Sequence, residues 1–254
     1  MLYVDQYVYT NKILNTHPLE KFGFALLTML ICLLAERPAV HLATIVIMLG
    51  ILVYIAGIPC SVVLKLLSLP LGFLLVGVIT LALTVSGDPA EMLAIVKLGP
   101  YGVGVTERSL ELAMSTLLRA LSSVSSLYFL ALTTPMTDLI YVLGVLRIPR
   151  IVTELMAIIY RFIFIFLETA FYIYTAQSSR WGYSSFRRSL YSFGLLFGNI
   201  WSKAFIRAQA MFTSLLSRGY EEEIRVLHPP YRFSSYSIAA YAGLDAFLLL
   251  LTIV

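Results

Sequence analysis

The chain has 254 residues, is 59% hydrophobic and only 13% charged, and has a mean hydropathy of +0.88. A soluble domain carries about 25% charged residues, so the composition excludes a soluble globular fold and points to an integral membrane protein. Its apolar runs have the length of spanning helices, about 17–25 residues, and lack the alternation of a membrane barrel.

Residues 1–21 form a polar arm with Asp5, Lys12, His17, Glu20 and Lys21. It has no early apolar stretch, so no cleavable signal is expected. Phe22 to Ala35 is the first apolar run, ended by Glu36-Arg37-Pro38. Its 14 residues are too few for a span, so the helix has to begin near His17-Pro18 or cross a thinned region. Val40 to Ile58 is the second run. Gly57-Ile58-Pro59 stops it, because proline disfavours helix at the residue before it. Leu64 to Val85 is the third, with Pro70 near its start, and Ser86-Gly87-Asp88-Pro89 composes a turn. Residues 90–108 read as a mixed loop with a short helix before Gly99-Pro100. Ser109 to Leu132 is the fourth run, more polar, with Arg119 and five serines between 115 and 126. Thr133-Thr134-Pro135 ends it. A last apolar run covers Tyr236 to Val254.

Between these runs lies a segment of another kind. Ile151 to Ser179 is apolar, but Glu154, Arg161 and Glu168 recur every seven residues and mark one polar side of a helix; charges at bilayer depth are costly. Phe186 to Ser217 keeps helical spacing through Phe186, Leu190, Phe193, Phe197 and Trp201, then Ala204, Ala208, Met211 and Leu215. Gly194, Gly198 and Ser202 form a row of small residues at four-residue spacing, which lets another helix backbone come close. The two long helices are expected to cross there. The reading is an all-α integral membrane protein with about five transmembrane helices and two long, crossing cytosolic helices. Residues 1–135 form a four-span body with its arm, 136–233 the cytosolic helices, and 234–254 the last transmembrane helix.

Orientation follows from the basic residues. Of 18, 11 lie between Arg147 and Arg232, which places that segment in the cytosol. Counting back through four spans puts the N-terminus in the cytosol and, through the last run, the C-terminus outside. The location is the cell membrane, and the lipid membrane is the first partner implied. No nucleic-acid partner is expected.

Both long helices end in an Arg-Gly signal: Ser179-Arg180-Trp181-Gly182 and Ser217-Arg218-Gly219-Tyr220. An arginine suits a helix C-terminus through the dipole, and a glycine just beyond allows the left-handed cap that stops the helix. Two ordinary caps would satisfy those facts. An arginine held there can also make bidentate bonds to a partner's carboxylate.

The architecture, over nearly the whole chain, resembles the transmembrane T component of energy-coupling factor transporters, and more specifically its CbiQ branch. The residues that carry the resemblance are Asp5 and Tyr7, His17-Pro18-Leu19-Glu20-Lys21, Ala56-Gly57-Ile58-Pro59 and Lys65-Leu66-Leu67-Ser68-Leu69-Pro70-Leu71, together with the two tips. In that family two long cytosolic coupling helices end in Ala-Arg-Gly-like motifs, each docking in a groove on an ATPase subunit. The resemblance therefore implies Arg180, Gly182, Arg218 and Gly219 as ATPase-coupling residues. It also implies ABC-type ATPase subunits and a substrate-binding membrane subunit (the S component) as partners, with cobalt or nickel as cargo. ATP would be bound by the partners, and this chain would need no cofactor. Serine replaces alanine in the second tip, and Trp181 is inserted in the first, so the first is the one expected to bind differently. A T component serving a vitamin importer is the alternative.

The remaining candidates are weaker. Cys32 and Cys60 lack near neighbours, and His17, His41 and His228 are scattered without ligand spacing, so no metal site is expected. Arg119 sits inside an apolar run and is a functional candidate by default, or else faces a polar interior lined by the nearby serines. Glu221-Glu222-Glu223 reads as a solvated acidic turn. No nucleotide loop or hydrolase motif occurs and no catalytic residue is expected. An intramembrane enzyme would need a Ser-His or Asp-Asp pair at depth, and Asp138 and Asp245 are isolated.

Overall fold

A computed structural model describes residues 3–86, 92–98, 101–219, 231 and 233–253. Gly87-Asp88-Pro89, Gly99-Pro100, Tyr220, Glu221-Glu222-Glu223 and His228 lie outside the described residues, as does the side chain of Asp5. The chain parts into two compact units, residues 2–135 with 230–254, and residues 136–229.

The first unit begins with α1 (Tyr3–Thr10) and α2 (Pro18–Leu34). Proline at the first helical position costs no hydrogen bond, and His17 caps α2 by accepting from Leu19 N through Nδ1 at 3.2 Å. The first run thus starts at His17-Pro18. Its 17 residues rise about 26 Å, the lower limit for a span. Next comes α3 (Pro38–Gly50), which continues as a π-helical turn over Ile51–Ile55, and then α4 (Cys60–Ala82). Gly57 between them has φ +76°, a value that suits glycine. Then come a small sheet, α5 (Glu107–Thr133) and, at the far end of the chain, α9 (Ser235–Ile253). Among the described residues, four helical stretches are long and apolar enough to cross a membrane: Pro38–Ile55, α4, α5 and α9.

Helix α5 is the centre of this unit, packed against α2, α3 and α4, while α9 packs on α2 and α3. Its polar composition explains that position. Ala113, Ser122, Ser125 and Ser126 are buried, and small side chains let neighbouring helices approach. The serine hydroxyls donate back to carbonyls of their own helix, Ser122 to Arg119 at 2.9 Å and Ser125 to Leu121 at 2.8 Å. These hydroxyls are therefore satisfied within their own helix while it packs closely. Around α5 the rings of Phe24, Phe129 and Tyr241 stack and meet edge to face.

Pro70 lies inside α4. It has no N–H to offer the carbonyl four residues back, that of Leu66. Tyr128 of α5 supplies the missing donor, its hydroxyl reaching Leu66 O at 3.0 Å.

The stretch read as a loop with a short helix is different. It holds β1 (Leu83–Ser86), β2 (Met92–Leu98) and β3 (Tyr101–Thr106), an antiparallel sheet of order β1-β3-β2. Valine and isoleucine at positions such as Val85, Ile95, Val96, Val103 and Val105 favour strand over helix. Thr106 and Ser109 then form a reciprocal capping box that starts α5.

The second unit consists of α6 (Met136–Val145), α7 (Arg150–Ser179) and α8 (Phe186–Ser217). The short helix α6 was not read from the sequence. At 30 and 32 residues, α7 and α8 are about 45 and 48 Å long. No residue of α7 is buried, and of α8 only Ser192 and Leu196 are.

Two arginine caps on the long helices

The two tips share one backbone state. Arg180 caps α7 with φ −100° and ψ 20°, and Arg218 caps α8 with φ −97° and ψ 10°. Each arginine N–H donates three residues back, to Gln177 O at 3.1 Å and to Leu215 O at 3.0 Å. The next residue is left-handed in both, Trp181 at φ 58° and Gly219 at φ 75°. Trp181 N then donates to Ser178 O and Gly182 N to Gln177 O, the two crossed bonds of a Schellman motif. In the second tip Gly219 N makes the matching bond to Leu216 O at 3.1 Å.

This corrects the expected role of Gly182. Trp181, not Gly182, takes the left-handed position that Gly219 takes in the second tip. Gly182 is glycine for another reason: a Cβ there would lie 2.8 Å from both Gln177 O and Ser192 Oγ. The turn is tied at that point. Ser192 Oγ donates to Gly182 O at 2.9 Å, Gln177 Nε2 to Ser192 O at 3.0 Å, and Tyr183 Oη to Gln177 Oε1 at 2.8 Å. Arg180 and the 76%-exposed Trp181 project from this tied turn. Arg218 and Gly219 are exposed at the other end of α8, so the length of that helix separates the tips.

The crossing expected at Gly194, Gly198 and Ser202 is not found. All three are exposed, and a Cβ on either glycine would meet nothing within 4 Å. Helices α7 and α8 are instead held together through Ser192, with Leu196 buried one turn on. The aromatic residues beside the row, from Phe186 (86% exposed) to Trp201 (74%), are uncovered. A strong helical period reports that a face is apolar, not which element covers it.

Residues 11–227 match the CbiQ family of cobalt transport proteins. The chain belongs to that family. It is 34% identical to the cobalt transport protein CbiQ of Salmonella typhimurium over 182 residues, 69% of this chain and 81% of the relative. It is 29% identical over 98% of its length to an uncharacterized protein of Methanocaldococcus jannaschii, covering 91% of it. A protein of Methanocorpusculum labreanum, provisionally described as a fused cobalt transport protein CbiMQ, is 36% identical over 62% of this chain and 26% of the relative. The molecule is thus a cobalt transport membrane protein of the CbiQ family.

Of the other motif residues of this CbiQ-family chain, His17, Glu20, Lys21, Ala56 and Gly57 make structural contacts within the first unit. Lys21, 0% exposed, donates through Nζ to Ile13 O, Leu14 O and Thr133 O at 3.0–3.3 Å. Its charge meets the C-terminal carbonyls of α5, where a cation is favoured. His17 stacks on Phe233 at 3.8 Å between ring centroids, and Glu20 accepts from Ser234 N at 3.1 Å. Lys12 N donates to Ala56 O at 3.1 Å, and its side chain lies 3.3 Å from where a Cβ on Gly57 would stand. Burial holds His17 below its ordinary pKa of 6.5; Glu20 opposes this and the Lys21 charge adds to it.

Arg119 reaches Ala35 O at 3.3 Å, within the polar strip lined by the serines. One pair was missed in the sequence: His41 Nδ1 lies 3.1 Å from Ser122 Oγ, across 81 positions of chain. Ser122 Oγ also lies 2.9 Å from Arg119 O, so the imidazole and a backbone carbonyl share one hydroxyl. Asp245 accepts from Thr28 Oγ at 2.9 Å and is held as a partnered acid. Among the described residues no cluster of three or more metal-ligating side chains occurs.

Proposed function

We propose that this chain is the non-catalytic coupling subunit of an ATP-driven, energy-coupling-factor importer for cobalt, with nickel the related cargo. The observation that carries the reading is the pair of exposed arginines, in one backbone state, at the ends of the two longest helices. A permanent charge with a planar fork, set on a rigid cap, transmits direction as well as force. Two ABC-type ATPase subunits close on ATP, and Arg180 and Arg218 carry that closure into α7 and α8. The motion then reaches a substrate-binding membrane subunit, which releases its ion inward. The fused relative supports a membrane partner of that kind. The excess of basic residues from Arg147 to Arg232 supports a cytosolic face for the tips and, by counting spans, a cytosolic N-terminus.

Truncating one side of a buried charge pair costs about 2–5 kcal/mol. Arg180→Glu or Arg218→Glu is therefore expected to abolish co-purification with the ATPase subunits, and with it ATP-driven uptake of labelled cobalt. Normal complex yield and normal uptake in both variants would refute the proposal.

A further inference from the structure

The second unit carries two open grooves. One, of about 730 Å³, runs between α7 and α8, with Phe162, Ile165, Phe166 and Ile206 among its apolar walls. The other, of about 600 Å³, lies between α6, α7 and the end of α8, with Ile140, Tyr141, Val145 and Ile158 in its walls. They meet at Arg161, Met211, Leu215 and Arg218, which line both. The basic residues gather around the junction: Arg161, Lys203, Arg207 and Arg218 all line the first groove. Glu154 is the single acidic lining residue of the two grooves. All four cations are exposed, and among the described residues none is held in an ion pair. Helix α6, one wall of the second groove, starts only two residues after the membrane-spanning α5 ends.

We infer that this junction binds an anionic diacyl phospholipid, the phosphate held by Arg161, Lys203 and Arg207 and one acyl chain laid in each groove. Three features favour a lipid over a partner helix. The apolar channel forks, as a two-chain lipid does, whereas an amphipathic helix needs one straight groove. Arg161 and Arg218 line both grooves, and Lys203 and Arg207 line the first, so positive charge lies at the fork and beside it, where a headgroup from which two chains diverge would sit. Basic clusters on amphipathic helices attract anionic headgroups in general, and here the cluster has an apolar floor. The inference does not depend on the coupling role proposed above, because lipid binding needs no ATPase.

The test uses the full chain purified in detergent. Native mass spectrometry compares retention of dioleoylphosphatidylglycerol with that of dioleoylphosphatidylcholine. A phosphatidylglycerol carrying a photoreactive acyl chain then maps the contact by labelled peptides. The expected result is preferential retention of phosphatidylglycerol, with labels on the residues of α6, α7 and α8 named above. The triple variant Arg161→Gln, Lys203→Gln, Arg207→Gln should weaken that retention by about tenfold to a hundredfold. The control Lys65→Gln, Arg187→Gln, Arg188→Gln, which removes as much charge outside the grooves, should stay within about twofold of the parent on the same principle. Equal retention of the two lipids, equal loss in both triple variants, or labels confined to other helices would overturn the proposal, the last leaving the grooves to a protein partner. The labelling of the unaltered chain decides the matter even if the groove variant is poorly made.

Discussion

Trp181 holds a left-handed backbone at φ 58°, and the side chain that suffers this is 76% exposed. For a residue with a Cβ that conformation costs roughly 1–2 kcal/mol. Replacing Trp181 by glycine removes the cost, forfeits little packing, and raises the entropy of the open chain by about 0.5–1 kcal/mol. The net gain is about 0.5–1 kcal/mol, a factor of about 2–5 in the local opening equilibrium. Asparagine tolerates the same region and gives up less entropy, so Trp181→Asn should gain at least as much. Valine, stiff and β-branched, should lose. The assay is hydrogen–deuterium exchange of the Trp181 and Gly182 amides, whose bonds to Ser178 O and Gln177 O close the cap. Exchange should slow in the glycine and asparagine variants and quicken in the valine variant. If all three exchange like the parent, the backbone conformation is not what limits the cap, and the structural equivalence of Trp181 with Gly219 fails.

Tyr128→Phe leaves Leu66 O without the donor that Pro70 cannot supply, and should cost about 0.5–1.5 kcal/mol in thermal unfolding followed by circular dichroism. In a Pro70→Ala background that cost should shrink, because the backbone N–H returns; an unchanged cost would show the two to be independent. Gly182→Ala drives a Cβ to 2.8 Å from Gln177 O and Ser192 Oγ, and should lower the same unfolding midpoint by an amount equivalent to about 1–3 kcal/mol. With its folded pKa below the unfolded 6.5, His17 takes up its proton more readily once unfolded. Its contribution is complete above about pH 6.5 and declines as the pH falls below it. The unfolding midpoint should therefore drop between pH 7 and 5, and the His17→Asn variant, which keeps a capping side chain, should show a shallower drop.

Much of the architecture was legible because a bilayer leaves few options. A run of apolar residues without charge has to be a helix that satisfies its own backbone, and the punctuation by Pro38, Pro59 and Pro135 marks where each one stops. The short run before Ala35 pointed back to His17-Pro18 because length is set by membrane thickness, and α2 starts there. The strands from Leu83 to Thr106 were hidden for the converse reason: a mixed segment with valines and glycines is decided by strand pairing, here of β3 with both β1 and β2. Helix α6 was overlooked because ten residues between Pro135 and the turn at Leu146, with Gly144 among them, carry little period.

Both arginine tips were visible as letters, since a cap is a local event of a few residues. Gly219 followed from that local chemistry alone: an L-residue strains at φ +75° and glycine does not. Gly182 did not. Its need for a missing side chain comes from Ser192, ten positions on, folding back against it. The small-residue row at Gly194 and Gly198 failed for the same reason in reverse, since spacing shows what a face permits and only the packed structure shows whether anything comes to it. So it was with Tyr128 and Leu66, and with Lys21 and the end of α5. Composition, span length and cap chemistry act within one helix and are written in the sequence. The partners of a buried polar atom lie tens of residues away, and only the tertiary fold decides them.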